Sequence, residues 1–153
     1  MEPPVILLSI NPYYSEAILS GQKTIEFRKA SFPKNVGIVL LYSTSPMKKI
    51  VGWMRIKKIV TLRPVEAWKR YHKHGGITRI AFITYYSGAE KAVCLSIGEK
   101  HKLDPPIDPY EKINHFLAPQ SYRYIKKTDY LGLNDKIDVL RNLKLDSFSK
   151  AIG

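Results

Sequence analysis

The sequence predicts an α+β protein: a small mixed sheet or barrel of five to six strands, with two to four short helices on its rim. Short β-branched runs bounded by Gly, Pro, Asn and Ser recur along the chain, which is the signature of brief strands. Two segments switch to a helical period and carry start and stop residues. No strand–helix–strand alternation is long enough for a doubly wound sheet.

Ile6 to Ile10 reads as the first strand. Asn11 and Pro12 then open a helix, as N-cap and first helical residue. Tyr14, Ala17 and Ile18 keep its period, and Gly21 ends it. Thr24 to Arg28 alternates Ile25 and Phe27 with Thr24, Glu26 and Arg28, the period of a half-buried strand. Val36 to Ser43 is nearly all apolar, as in a central strand. Ser45 to Lys49 is a turn, and Val51 to Val60 a longer strand. Pro64 to His74 is a helix with Val65, Trp68 and Tyr71 (or His72) as its apolar stripe, stopped by Gly75 and Gly76. Ile77 to Ser87 fits either a strand or a helix with Ile77, Ile80, Ala81 and Thr84 on one side. Lys91 to Ile97 is another strand, and Asp104 to Pro109 a rigid proline loop. A short helix around Tyr110 to Phe116 and a last strand, Tyr122 to Lys126, follow. The domain is expected to span residues 1–126. Residues 127–153 form a C-terminal extension with one weak helix near Asp135 to Leu143, packed on the same domain or trailing from it.

The 153 residues suffice for one domain with its own core. The single cysteine, Cys94, excludes an internal disulfide framework and fits a reducing compartment. Its apolar strand makes it a core thiol rather than a nucleophile. The N-terminus reads neither as a signal peptide nor as a membrane span, so a cytoplasmic protein without a membrane partner is the default. The net charge is +12, and it is unevenly placed. Between Met47 and Arg79 stand ten basic residues and one acid, Glu66, so +9 falls in that stretch. A concentrated positive field attracts polyanions, RNA first among them, and DNA fits the same charge.

The polar groups of Lys23, Thr24, Glu26 and Arg28 form the strongest candidate site. Arg28 suits a phosphate or a base face, Lys23 a second positive contact, and Glu26 an exocyclic amine or ring N–H. The competing reading is a surface ion-pair network. Tyr42, Ser43 and Ser45 stand where a buried strand emerges and suit a pocket mouth, with Tyr42 stacking a base; ordinary strand-end chemistry explains them too. Gln120 and Ser121 share that ambiguity. Arg55 and Lys57 border Trp53, which is expected to pack under the helix Pro64 to His74. Lys69, Arg70 and Lys73 extend them into a phosphate-backbone track. His72 and His74 are two apart on a helix and point different ways, so no metal site is expected. Nucleotide-cofactor fingerprints are missing, and no cofactor is expected.

Four pieces in order resemble the ASCH family, named for homology to an activating signal cointegrator and placed in the PUA-like barrel superfamily. They are Ser9 to Arg28, with the pattern G-x-K-x-x-E-x-R at Gly21, Lys23, Glu26 and Arg28; Leu41 to Pro46 with Ile50 to Gly52; Tyr86 to Gly88 leading into Ala92 to Ile97; and Ala118 to Tyr124. The resemblance implies a PUA-like mixed barrel with a cleft beside the first helix, a helix at Ile77 to Ser87, and a ligand that is RNA, single-stranded or carrying a modified nucleotide. The expected function is an RNA-binding module, and catalysis is the alternative, with Lys23 and Glu26 as its groups in an amidohydrolase- or ribonuclease-like reaction. Small members similar to N4-acetylcytidine amidohydrolases place a threonine three residues after the lysine. Here Glu26 takes that place and Thr24 lies beside Lys23, which removes the nucleophile that reading requires.

Overall fold

The computed structural model describes residues 3–143. Six strands form one mixed sheet: β1 (Ile6–Ile10), β2 (Ile25–Arg28), β3 (Ile38–Ser43), β4 (Lys49–Leu62), β5 (Ala92–Ile107) and β6 (Tyr122–Tyr124). The spatial order is β2-β5-β4-β3-β1-β6. β1 and β3 run parallel, with Leu8 beside Leu41, and all other neighbours are antiparallel. The helices are α1 (Pro12–Ser20), α2 (Pro64–Tyr71), α3 (Arg79–Tyr85), α4 (Pro109–Lys112), α5 (Lys127–Leu133) and α6 (Asp138–Arg141), so the helices are more numerous than the sequence suggests. None of them is long and apolar enough to cross a membrane.

Strand alternation divides the core. Leu7, Leu40, Tyr42 and Trp53 share one cluster with Phe116, Ile125, Tyr130, Leu133, Ile137 and Leu140. Ile6, Leu8, Ile10, Val39, Leu41, Val93 and Leu95 share another with Ile18 of α1. A third joins Ile25 and Phe27 of β2 to Ala67, Phe82 and Tyr86 on and beside α2 and α3.

Helix α1 follows its sequence signals. The Asn11 side chain accepts from the Tyr13 N–H at 2.8 Å, and Gly21 closes the helix at φ 87°, a conformation that costs an L side chain energy.

Several expectations change. The helical reading of Ile77 to Ser87 holds, yet Ile80 is exposed and the buried residues there are Phe82 and Tyr86. Thr78 caps α3 by accepting from the Ala81 N–H, which sets the helix phase. Val65 is exposed too, and Ala67 is what α2 buries. Trp53 is buried as expected, but it stacks on His101 at 5.9 Å and joins the first cluster instead of lying under α2. Asp104 to Ile107 is strand, not loop. Ile50 pairs with Ile107 while Gly52 pairs with Lys102, so Pro105 and Pro106 sit in a bulge where no ladder N–H is needed.

The C-terminal segment holds two helices. The weak helix expected near Asp135 to Leu143 shortens to α6, and α5 precedes it. The Asp129 carboxylate accepts from the Lys126 N–H at 2.9 Å and pairs with Arg123 at 2.8 Å, tying the start of α5 to β6. Residues 144–153 of the expected extension lie outside the described residues.

Candidate functional site

β2 is an edge strand, paired on one side with β5. Its register sets Glu26 beside Leu95 and Arg28 beside Val93, so both side chains enter the face occupied by the second cluster. The sequence reads the polar side of this strand as open. The structure buries it: the side chains of Lys23 and Glu26 are 2% and 6% exposed.

Glu26 stands between two cations. Its Oε1 lies 3.3 Å from Lys23 Nζ and its Oε2 3.1 Å from Arg28 Nη1. Lys23 also donates to the Gly75 carbonyl, and its ammonium lies 5.2 Å from the Tyr14 ring centroid and 5.6 Å from that of Phe27. Arg28 reaches the far side of the sheet order. Its Nη2 donates to Ser121 Oγ at 3.0 Å, and its Nη1 approaches the Ser9 carbonyl at 3.5 Å. Ser9 belongs to β1 and Ser121 immediately precedes β6, so one guanidinium bridges the two ends of the curled sheet. Arg28 Nε is buried with no hydrogen-bond partner among the described residues. Burial pushes the Lys23 pKa below its ordinary value; Glu26 opposes the shift and Arg28 adds to it.

Two glycines make room for the trio of Lys23, Glu26 and Arg28. The turn after α2 lies against the start of β2, where the Thr24 N–H donates to the His74 carbonyl at 3.0 Å. A Cβ on Gly75 would stand 2.3 Å from a ring carbon of Phe27, and Gly76 has φ 58° with the Lys23 stem beneath it. The sequence reads this pair only as a helix stop. Its doubling before a β-branched run is the signal for a close approach. Tyr14, likewise, reads as a core residue of α1 and turns out to cover the Lys23 ammonium.

The structure brings Lys23, Glu26, Arg28 and Ser121 together, and separates the other candidates. Thr24 is exposed and precedes β2. Tyr42 is 2% exposed; its hydroxyl meets that of Tyr110 at 3.2 Å and its ring packs on Phe116. It faces the first cluster and has no free face for a base. Ser43, one residue on, turns to the other side and meets Ser15 of α1, with the two Oγ atoms 3.3 Å apart. Ser45 and Gln120 are exposed in loops. The predicted phosphate track divides: Lys57 lines a crevice of about 540 Å³ with Lys34 and Lys58, whereas Lys69 lines a separate groove beside α2. Arg55 pairs with Glu99 at 3.1 Å. Arg70 lies over Tyr71, 5.8 Å from its ring centroid, and Lys73 is exposed beyond α2.

The ASCH domain profile matches residues 8–106, which include the whole G-x-K-x-x-E-x-R segment. The chain belongs to the ASCH domain family. A protein named as an ASCH domain-containing ribonuclease, from Zymomonas mobilis, is 28% identical over 126 residues, which cover 80% of this chain and 85% of that protein. The crystal structure of ASCH from Zymomonas mobilis superposes with a TM-score of 0.78 at 26% identity, over 86% of this chain and 94% of that one. A large ribosomal subunit protein of Ureaplasma parvum is 29% identical over 122 residues, and the chain spans 39% of its length. The α+β, PUA-like half-barrel expected of an ASCH domain is therefore the fold here.

Lys23 offers a direct check on the electrostatics of this ASCH domain. Its folded pKa lies below the unfolded value of 10.5. Between the two values the unfolded chain binds more protons, so this lysine's contribution to stability rises with pH across that window. Below it the desolvation cost is felt in full. Urea melts of the parent and of Lys23→Met at stepped pH are expected to show the parent gaining on the variant as pH climbs towards 10.5. A gap that stays constant with pH would show that burial does not shift the lysine.

Proposed function

We propose that this ASCH domain binds RNA. The trio takes a nucleotide at the seam where Arg28 meets Ser121, and exposed lysines hold the backbone. One observation carries the reading: two buried cations share a single carboxylate, and the guanidinium keeps an unused N–H. A site with surplus positive charge and a spare donor is suited to an anionic, hydrogen-bonding ligand such as a phosphate. Lys34, Lys57 and Lys58 around one crevice supply a non-specific backbone contact. The name of one relative points the same way, since the Zymomonas mobilis protein is named a ribonuclease.

The test is a salt titration of binding to a single-stranded oligoribonucleotide. Each phosphate contact removed lowers the slope of log K against log salt by about 0.7 for single strands. Lys57→Gln is expected to reduce the slope by that amount and to weaken all sequences equally. Arg28→Lys is expected to weaken binding at every salt concentration, because a point charge cannot bridge Glu26 and Ser121 together. Binding that stays undetectable at low salt would remove the proposal.

Cleavage of RNA at the same trio is the second reading. Its support is the depressed pKa of Lys23, which draws the amine towards a proton-accepting form beside Glu26, and the name of the Zymomonas relative. Accumulation of shortened end-labelled RNA, abolished in folded Lys23→Met protein, distinguishes cleavage from binding alone.

A further inference from the structure

A groove of about 1170 Å³ runs between α2 and α3, on the Phe27 side of β2, where the Tyr86 hydroxyl donates to the Arg28 carbonyl at 2.9 Å. Its floor is apolar: Leu62, Trp68, Phe82 and Tyr86. Its walls carry Val65 and Ile83, which are 64% and 57% exposed. Both are large aliphatics held in water, as is Ile80 of α3 outside the groove, and exposed apolar side chains grouped along one groove mark an interaction surface. The rim is charged. Arg63, Lys69, Arg79 and Lys91 line it with the Glu90 carboxylate, and Glu66 beside it stands 3.6 Å from Arg63 and 3.9 Å from Lys69, which leaves the rim a net positive charge.

We propose that this groove docks an amphipathic helix of a partner protein whose apolar face is flanked by acidic residues. Charge complementarity selects the occupant: four cations against the carboxylates of Glu66 and Glu90 disfavour a basic partner and attract an acidic one. A second copy of this chain carries +12 and is repelled, and the segment 144–153 of the same chain has two lysines and one aspartate. Single-stranded RNA would need exposed ring faces for stacking. Here Phe82 and Tyr86 are only 3% and 4% exposed, half-buried Trp68 is stacked on His72 at 5.2 Å, and the most exposed apolar side chains are the aliphatic Val65 and Ile83. Aliphatic walls with a basic rim suit leucines at i, i+3, i+4 and i+7 of a helix with glutamates beside them.

A displayed library of helical peptides about 15 residues long, near the length at which isolated helices form, is selected on the full chain and counter-selected on the Val65→Asp/Ile83→Asp double variant. Both positions are exposed, so the variant keeps its fold, which circular dichroism verifies. The expected winners have an apolar stripe flanked by Asp and Glu, and they lose at least about tenfold in affinity on the variant, or about 1.4 kcal/mol. RNA binding at the trio is expected to be unchanged in the same variant, so this proposal and the RNA reading fail separately. Winners without the acidic flanks, winners that bind the variant equally well, or an empty selection would overturn the proposal. So would displacement of the peptides by single-stranded RNA, which would give the groove to RNA.

Discussion

Replacing Glu26 with glutamine is expected to destabilise the protein by about 3–5 kcal/mol, the cost of removing one partner of a buried ion pair. The amide has nearly the shape of the carboxylate, so packing is preserved and the change is electrostatic. It leaves the Lys23 ammonium and the Arg28 guanidinium buried with no counter-charge between them. The loss is expected to be several times the contribution of an exposed pair such as Arg55–Glu99, whose side chains are 44% and 64% exposed, which places it at about 0–1 kcal/mol. The double variant Lys23→Met/Glu26→Gln is expected to recover part of the loss, because one of the two uncompensated charges goes with the lysine. Equilibrium urea unfolding of the set provides the coupling energy. A cost for Glu26→Gln no larger than that for Glu99→Gln would mean that the trio is solvated.

Gly132→Ala supplies the second large effect, and its sign is diagnostic. Helix propensity alone makes alanine better than glycine inside α5 by about 1 kcal/mol. The structure reverses that. A Cβ at position 132 would stand 2.0 Å from the Lys112 carbonyl oxygen, at the end of α4. A backbone atom cannot turn aside as a side chain can, so α5 must shift, which costs about 1–3 kcal/mol by overpacking. Tyr130 and Leu133 on the same helix lie in the cluster that holds Leu7 and Leu40 of the sheet. The shift therefore reaches the core. A lower Tm for Gly132→Ala is the expected result, and a higher one would show that α5 is loosely attached.

Elements whose signals are local were legible in the sequence. Asn11, Pro12 and Gly21 bound α1 by their own backbone chemistry, and the parity of Ile25, Glu26, Phe27 and Arg28 assigns each side chain to its face of β2. What parity does not reveal is what covers the face. Glu26 reads as exposed because the pattern is amphipathic, yet it is buried between Lys23 and Arg28, and Tyr14 of α1 and the Gly75–Gly76 turn lie against that lysine. The same limit applies to Tyr42, whose hydroxyl suggests a pocket mouth while Tyr110, 68 positions later, occupies it. Arg28 meeting Ser121 is a contact across 93 residues that the family pattern alone does not contain. Pro105 and Pro106 read as a loop because a regular ladder rejects them. A bulge across from Val51 removes that objection, and only the pairing partner discloses it. Tyr130, Leu133, Ile137 and Leu140 keep a helical spacing that Gly132 and the Asn134–Lys136 break obscure.

On the proposed reading, RNA enters at the sheet seam and contacts the buried trio. An NMR titration of labelled protein with a short single-stranded oligoribonucleotide tests it most directly. The predicted result is saturable shifts of the backbone amides of Lys23, Glu26, Arg28 and Ser121 together, with smaller changes at Lys57 and Lys58. Saturation with shifts confined to the surface lysines, leaving the four trio-associated amides unmoved, would contradict it.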